Sequence, residues 1–274
     1  MRMDMRKLLP IILIALLGTT MYGCKFIINQ LAFYPDRVDL LSKNSLPPGV
    51  EERFIDTEDR VRIQLLYLPS TGSDRVLIYF HGNAGNIYHR IPDLLQLQRF
   101  GINVMGVSYR GYGKSGGAPS EEGIYQDGEA VFNYVTEVLG FPQSKIIIFG
   151  RSIGTTVAIN SAKNRAIGGL ILVTPLTSAR AHAKAVGLGF LSPLAGDAFD
   201  NVTRIREVKV PLLVIHGTDD RVIPFSMGRQ LFDSAQTKKQ FITIEGAGHN
   251  NLQADYGQAY WSAIAGFIRQ TANR

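Results

Sequence analysis

The chain has 274 residues, 45% of them hydrophobic and 19% charged, a balance that buries a sizeable core and excludes a disordered or repetitive protein. The formal net charge of +6 is scattered, and Arg2, Arg6 and Lys7 set against Asp4 account for part of it, which leaves no basic patch for a nucleic-acid partner. One α/β domain fits the length.

At the N-terminus, basic residues precede the apolar run LLPIILIALLG, which then meets TTMYGC, the layout of a signal peptide or membrane anchor over residues 1–23. Cys24 is the only cysteine, so no internal disulfide can form. Its place after Gly23 resembles a bacterial lipoprotein processing box, although Met21 and Tyr22 depart from the usual residues there. Cys24 is therefore expected to carry lipid; an uncleaved anchor and a free thiol are the alternatives. Lys25, where an Asp would retain a lipoprotein in the inner membrane, points to the outer membrane in a Gram-negative host. The expected location is the exported, membrane-anchored cell envelope. Residues 24–49, with Pro47, Pro48 and Gly49 at their end, read as tether and linker, and residues 50–274 as the folded catalytic domain.

Within the domain, strand candidates follow in order: ERFIDT, VRIQLLYLP, VLIYFHG, NVMGVSYR, KIIIFG, GGLILVTP, PLLVIHG and QFITIEG. The first two, joined by the polar turn TEDR, read as an antiparallel hairpin. From the third onward an amphipathic stretch separates each strand from the next. Continuous apolar strands joined by helical crossovers predict a mostly parallel eight-stranded sheet with helices on both faces.

GYGKSGG, after the fourth strand, matches two phosphate-binding patterns in part, through Gly111, Gly113 and Gly116 and through its GKS. A phosphate loop needs a glycine where Ser108 stands, and a dinucleotide fingerprint must open a helix directly, yet Ala118 and Pro119 intervene. The glycines are expected to be a flexible connection, with a helix starting near Ser120 and Glu121 and Glu122 in its first turn.

In IIIFGRSIGTTVAIN a strand becomes a helix with almost no loop, and Ser152 sits at the bend in the G-x-S-x-G formed by Gly150, Ser152 and Gly154. A hydroxyl that must stand clear of a sheet needs a strained turn, and glycines remove the collisions such a turn creates. The same turn aims the Ile153 amide at the space above the hydroxyl, where an oxyanion could be held. A nucleophilic serine needs a base. Of five histidines, His89 and His182 read as surface residues, and His81 and His216 end strands, where an imidazole packs and bonds locally. His249, in the glycine-bearing loop EGAGHNN after the last strand, can reach across the sheet edge towards Ser152. The orienting carboxylate comes from Asp219 and Asp220 after the seventh strand; Asp220 is preferred, with Asp219 facing away.

With FHGNAGN, SYRGYGKSGG, GRSIG, IHGTDDRVIP and EGAGHN in view, the chain resembles the α/β-hydrolase-fold serine hydrolases, and within them the branch of membrane-attached protein depalmitoylases and bacterial lipoprotein-like relatives. The resemblance implies a Ser152–His249–Asp220 triad, a second oxyanion amide at Asn83, and a short lid between the sixth and seventh strands. The apolar run VGLGFLSPLAG in that lid lines an acyl site or membrane-facing rim, or else is a packed helix. The N-terminal cysteine cluster used by the depalmitoylase branch is missing. The expected reaction is cleavage of an acyl ester or thioester through an acyl-enzyme, without metal or cofactor. A serine peptidase of the same fold is the alternative, and a non-catalytic ligand-binding lipoprotein a more distant one.

Overall fold

The computed structural model describes residues 29, 32–37, 46–193 and 195–272. Cys24, the processing box and most of the tether lie outside the described residues.

Eight strands form the main sheet: β1 (Glu51–Asp56), β2 (Arg62–Leu68), β3 (Val76–Phe80), β4 (Asn103–Ser108), β5 (Ile146–Arg151), β6 (Gly169–Val173), β7 (Leu212–Gly217) and β8 (Lys239–Ile244). In space they run β1, β2, β4, β3, β5, β6, β7, β8. The β1–β2 hairpin is antiparallel, as its sequence predicts, with Glu51 opposite Tyr67 and Asp56 opposite Arg62. β2 is also antiparallel to β4, and the remaining neighbours are parallel. Parallel pairing puts the C-terminal ends of β3, β5, β6 and β7 on one edge, so loops far apart in sequence converge there.

The central strands are buried on both faces, which explains their unbroken apolar runs. Alternation within β3 divides the core in two. Val76, Ile78 and Phe80 pack in one cluster with Ile124 and Val131 of α2 (Glu121–Asn133) and with Val157 and Ile159 of α3 (Gly154–Ala162). Leu77 and Tyr79 pack in the other with Leu94 and Leu97 of α1 (Ile91–Gln98) and with Ile264 and Phe267 of α7 (Gly257–Ala272). Each fully buried aliphatic side chain contributes about 1.5–3 kcal/mol, so the double-sided sheet is the mechanical base of the loops it carries. α2 starts where predicted: the Ser120 hydroxyl accepts from the Gly123 amide at 3.0 Å, with Glu121 and Glu122 following.

Two regions differ from the sequence expectation, and in a third the structure removes one of two alternatives. Residues 32–37, assigned to the linker, pack onto the domain: Phe33 is buried in the core, and Tyr34–Pro35 pairs in parallel with Ala84–Gly85. GYGKSGG is not a flexible connection but a fixed turn. A side chain at Gly113, which has φ of +51°, would meet the Gln64 carboxamide oxygen at 2.6 Å. Between β6 and β7 the chain makes α4 (Ala179–Ala185), a single 3-10 turn (Gly189–Leu191) and α5 (Asn201–Ile205). Val186, Leu188 and Phe190 are 37%, 42% and 77% exposed, so this stretch is not a packed helix. α6 (Phe225–Ser234) then links β7 to β8.

Candidate active site

Ser152 follows β5 directly and has φ of +54°, a conformation that non-glycine residues rarely adopt and that active-site turns store. The strain is held by bonds on both sides. The Ser152 amide donates to the Val173 carbonyl at 2.9 Å, and the Ser152 carbonyl accepts from the Thr155 amide at 2.9 Å and the Thr155 hydroxyl at 2.6 Å. Both glycines are required by space. A Cβ on Gly150 would stand 2.5 Å from the Gly154 carbonyl oxygen, and one on Gly154 would collide with the Phe80 and His81 carbonyls.

The structure brings Ser152, His249 and Asp220 together. His249 Nε2 lies 3.1 Å from Ser152 Oγ, and His249 Nδ1 lies 2.8 Å from Asp220 Oδ2. Asp220 Oδ1 accepts from the Val222 and Ile223 amides at 2.9 and 2.8 Å. Burial alone would raise the Asp220 carboxyl; hydrogen bonds from His216 and His249, the attraction of His249 in its protonated form and the Ile223 amide overcome it and hold the pKa well below the usual carboxylate range. An ionised Asp220 can only accept, so the His249 proton sits on Nδ1 and Nε2 is free to accept from the serine hydroxyl. Asp219 is exposed, its amide donating to the Ala247 carbonyl at 2.9 Å and its carboxylate accepting from the Thr218 hydroxyl at 3.3 Å.

The other histidines take distinct places. His216 is buried and holds Asp220 from behind, with Nε2 2.9 Å from the Ile223 carbonyl and 3.3 Å from Asp220 Oδ2. His81 is buried with Nδ1 2.6 Å from the Gly82 carbonyl, and burial pulls its pKa down to about 3, so it is neutral. His89 is exposed. His182 is not the surface residue the sequence suggested. It is half-buried on α4, and burial followed by the neighbouring His249 lowers its pKa. A helical segment of small residues gives no hint that it folds back over the sheet edge.

Of the two amides expected at an oxyanion site, Asn83 follows Gly82 in the chain and Ile153 follows the serine itself. Gly82 runs alongside it, close enough that an added Cβ would be 3.6 Å from Ser152 Cβ. Among the described residues neither the Asn83 nor the Ile153 amide donates to a backbone carbonyl. Ile153 stands at the N-terminus of α3, where the helix dipole favours negative charge. Sequence reasoning missed Arg151. Its guanidinium, nearly buried, donates to the His249 carbonyl at 3.2 Å and to Gln253 Oε1 at 3.1 Å, which ties the histidine loop to the serine turn. The only signal was a charge inside a turn that had to be buried.

Comparison with known proteins matches residues 72–204 and 195–254 to the family model described as serine aminopeptidase, S33. The chain is 31% identical over 248 residues to a protein of Mycobacterium tuberculosis, covering 89% of this chain and 88% of that one. It is 34% identical over 207 residues to the human alpha/beta hydrolase domain-containing protein 17B, covering 73% and 68%. Among solved structures, the Pyrococcus furiosus esterase Pf2001 superposes with a TM-score of 0.74 at 19% identity, over 87% of this chain and 98% of that one.

Proposed function

The chain belongs to the α/β-hydrolase family, and from that premise we propose that it is a membrane-tethered serine hydrolase of carboxylic esters or thioesters of acyl groups. The hydrogen-bonded line from Ser152 through His249 to Asp220 carries this reading. As Ser152 Oγ bonds to the acyl carbon, His249 Nε2 takes the hydroxyl proton, and the amides of Asn83 and Ile153 hold the oxyanion. The scissile C–O or C–S bond then breaks, and the alcohol or thiol leaves with that proton. Water next gives a proton to His249 as its oxygen bonds to the acyl carbon; the bond to Oγ breaks, Ser152 recovers the proton and the acid departs. Asp220 keeps the imidazole oriented and stabilises its charged form.

Ester chemistry is supported by the esterase among the fold neighbours, whereas the description of the family model favours an amide as the alternative. The exposed Val186, Leu188 and Phe190 on the β6–β7 segment suit an apolar acyl chain. A fluorophosphonate probe separates an enzyme from a ligand-binding protein, and a panel of esters, thioesters and peptides ranks the bond cleaved. Fastest turnover of an aminoacyl peptide would replace the esterase reading by the peptidase one.

The tether rests on the N-terminal sequence. Lipid on Cys24 would anchor the domain at the cell envelope, since two or more acyl chains hold far more firmly than one. Intact-mass analysis of the membrane fraction is expected to show a chain beginning at a lipidated Cys24, and Cys24→Ser an unprocessed precursor. An unmodified chain still beginning at Met1 would leave the uncleaved anchor.

A further inference from the structure

The strap at residues 32–37 runs beside the loop at Asn83 and is bonded both to that loop and to the glycine turn. Phe33 anchors it, 4% exposed and edge-on to Phe199 with ring centroids 6.2 Å apart. The Tyr34 amide donates to the Asn83 carbonyl at 3.1 Å, and the Asp36 amide to the Gly85 carbonyl at 3.3 Å. The Asp36 carbonyl in turn accepts from the Gly113 amide at 2.8 Å. Arg37 closes the strap onto the same glycine turn, through Nε to the Gly111 carbonyl at 3.1 Å and Nη2 to the Gly117 carbonyl at 2.8 Å. From within that turn the Tyr112 hydroxyl donates to the Asn83 carbonyl at 2.7 Å. Burial raises the Tyr112 pKa, which keeps the hydroxyl a donor.

These contacts fix one residue from both sides. Peptide planes are rigid, so the Asn83 N–H lies in the Gly82–Asn83 plane, and the plane that follows constrains it through the two dihedrals at Asn83. The first plane is held by His81, whose Nδ1 must carry the proton it shares with the Gly82 carbonyl, an acceptor only. The second plane is held by Tyr34 and Tyr112, which both donate to the Asn83 carbonyl. A trans peptide points the Asn83 N–H away from the Gly82 carbonyl and so away from His81.

We infer that the strap at residues 32–37, with Tyr112 of the glycine turn, is a positioning element for the oxyanion amide of Asn83. It acts through the Asn83 carbonyl and touches no reacting atom. This rests on the proposed serine-hydrolase reading. Preorganised donors are worth most where charge develops in the transition state, and loss of one whole donor costs about 10²–10³ in turnover. A donor that is present but loosely aimed costs less and leaves ground-state binding alone.

The test uses the full chain in detergent with p-nitrophenyl butyrate as substrate and phenylboronic acid as a tetrahedral-anion probe. Tyr112→Phe is expected to lower kcat about tenfold and weaken phenylboronic acid by a similar factor, with KM within about twofold. Tyr34→Pro, which deletes the donating amide, should act in the same direction and reach about a hundredfold. Tyr67→Phe is the control. It removes a buried tyrosine hydroxyl, bonded to Asn103 Oδ1 at 3.2 Å at the opposite edge of the sheet, and should leave kcat unchanged. Wild-type kcat and boronate affinity in Tyr112→Phe, or a rise in KM alone, would overturn the inference; if Tyr34→Pro does not fold, Tyr112→Phe decides. The underlying reading fails separately, by turnover that survives Ser152→Ala.

Discussion

The two halves of the site are built in opposite ways. On the Ser152 side, a strained serine is held mostly by its own neighbours in sequence: Gly150, Gly154 and Thr155 remove collisions and satisfy its carbonyl, and only the Val173 carbonyl, which accepts from its amide, comes from another strand. On the Asn83 side, the loop is held by Tyr34 from the N-terminal strap and Tyr112 from after the next strand, with His81 alone acting locally. A nucleophile must be placed to a fraction of an ångström relative to the sheet, which a short strand-turn-helix does. An oxyanion donor must be aimed relative to the nucleophile, and two different strand ends can be aligned only by contacts that bridge them.

The largest effect should come from the locally built half. Ser152→Ala is expected to abolish fluorophosphonate labelling and lower ester turnover by about 10⁶, the scale of nucleophile loss in serine hydrolases. Labelling that persists would move the nucleophile elsewhere and end the comparison. Next in size, Asp220→Asn should lose up to about 10⁴ in kcat by favouring the wrong imidazole tautomer. Asp219→Asn, at an exposed carboxylate, should stay close to wild type. Kinetics on the pair decide between them, and the reverse order would exchange their roles.

Gly154→Ala tests whether the serine turn really has no slack. Its new methyl would collide with the Phe80 and His81 carbonyls, so a destabilisation of about 1–3 kcal/mol is expected in urea unfolding. Unchanged stability would show that the turn can shift. A further effect, of similar size, concerns the base of the glycine turn on the other side. There Arg110 joins Asp127 at 2.8 Å and Asp59 at 2.7 Å. Burial outweighs the Arg110 contacts at Asp127 and pushes its pKa up to about 6, whereas the Arg110 hydrogen bonds hold Asp59 at about 2.

The signs are therefore opposite. Native Asp127 keeps a proton that the unfolded chain has released between about pH 4 and 6, so its contribution to stability falls as pH rises through that window. The contribution of Asp59 is present above about pH 4 and is lost as pH falls towards 2. Unfolding midpoints of Asp127→Asn measured from pH 4 to 7 should lack the first slope. A slope that remains would place its source away from this turn.

Much of this was legible from residues alone. The eight strands, the antiparallel hairpin, the start of α2 at Ser120 and the positions of Ser152, Asp220 and His249 each carry a local signature, whether an apolar run, a cap, a glycine pair or a loop after a strand. Local steric rules act within a few residues, and the sequence displays them directly. Only the tertiary structure decided that residues 32–37 belong to the domain, that GYGKSGG is a fixed turn, that His182 lies beside His249, and that Arg151 ties the serine turn to the histidine loop. Each of these depends on which distant backbone carbonyl or ring comes to rest alongside. That is set by strand order and register, which no run of neighbouring residues encodes by itself.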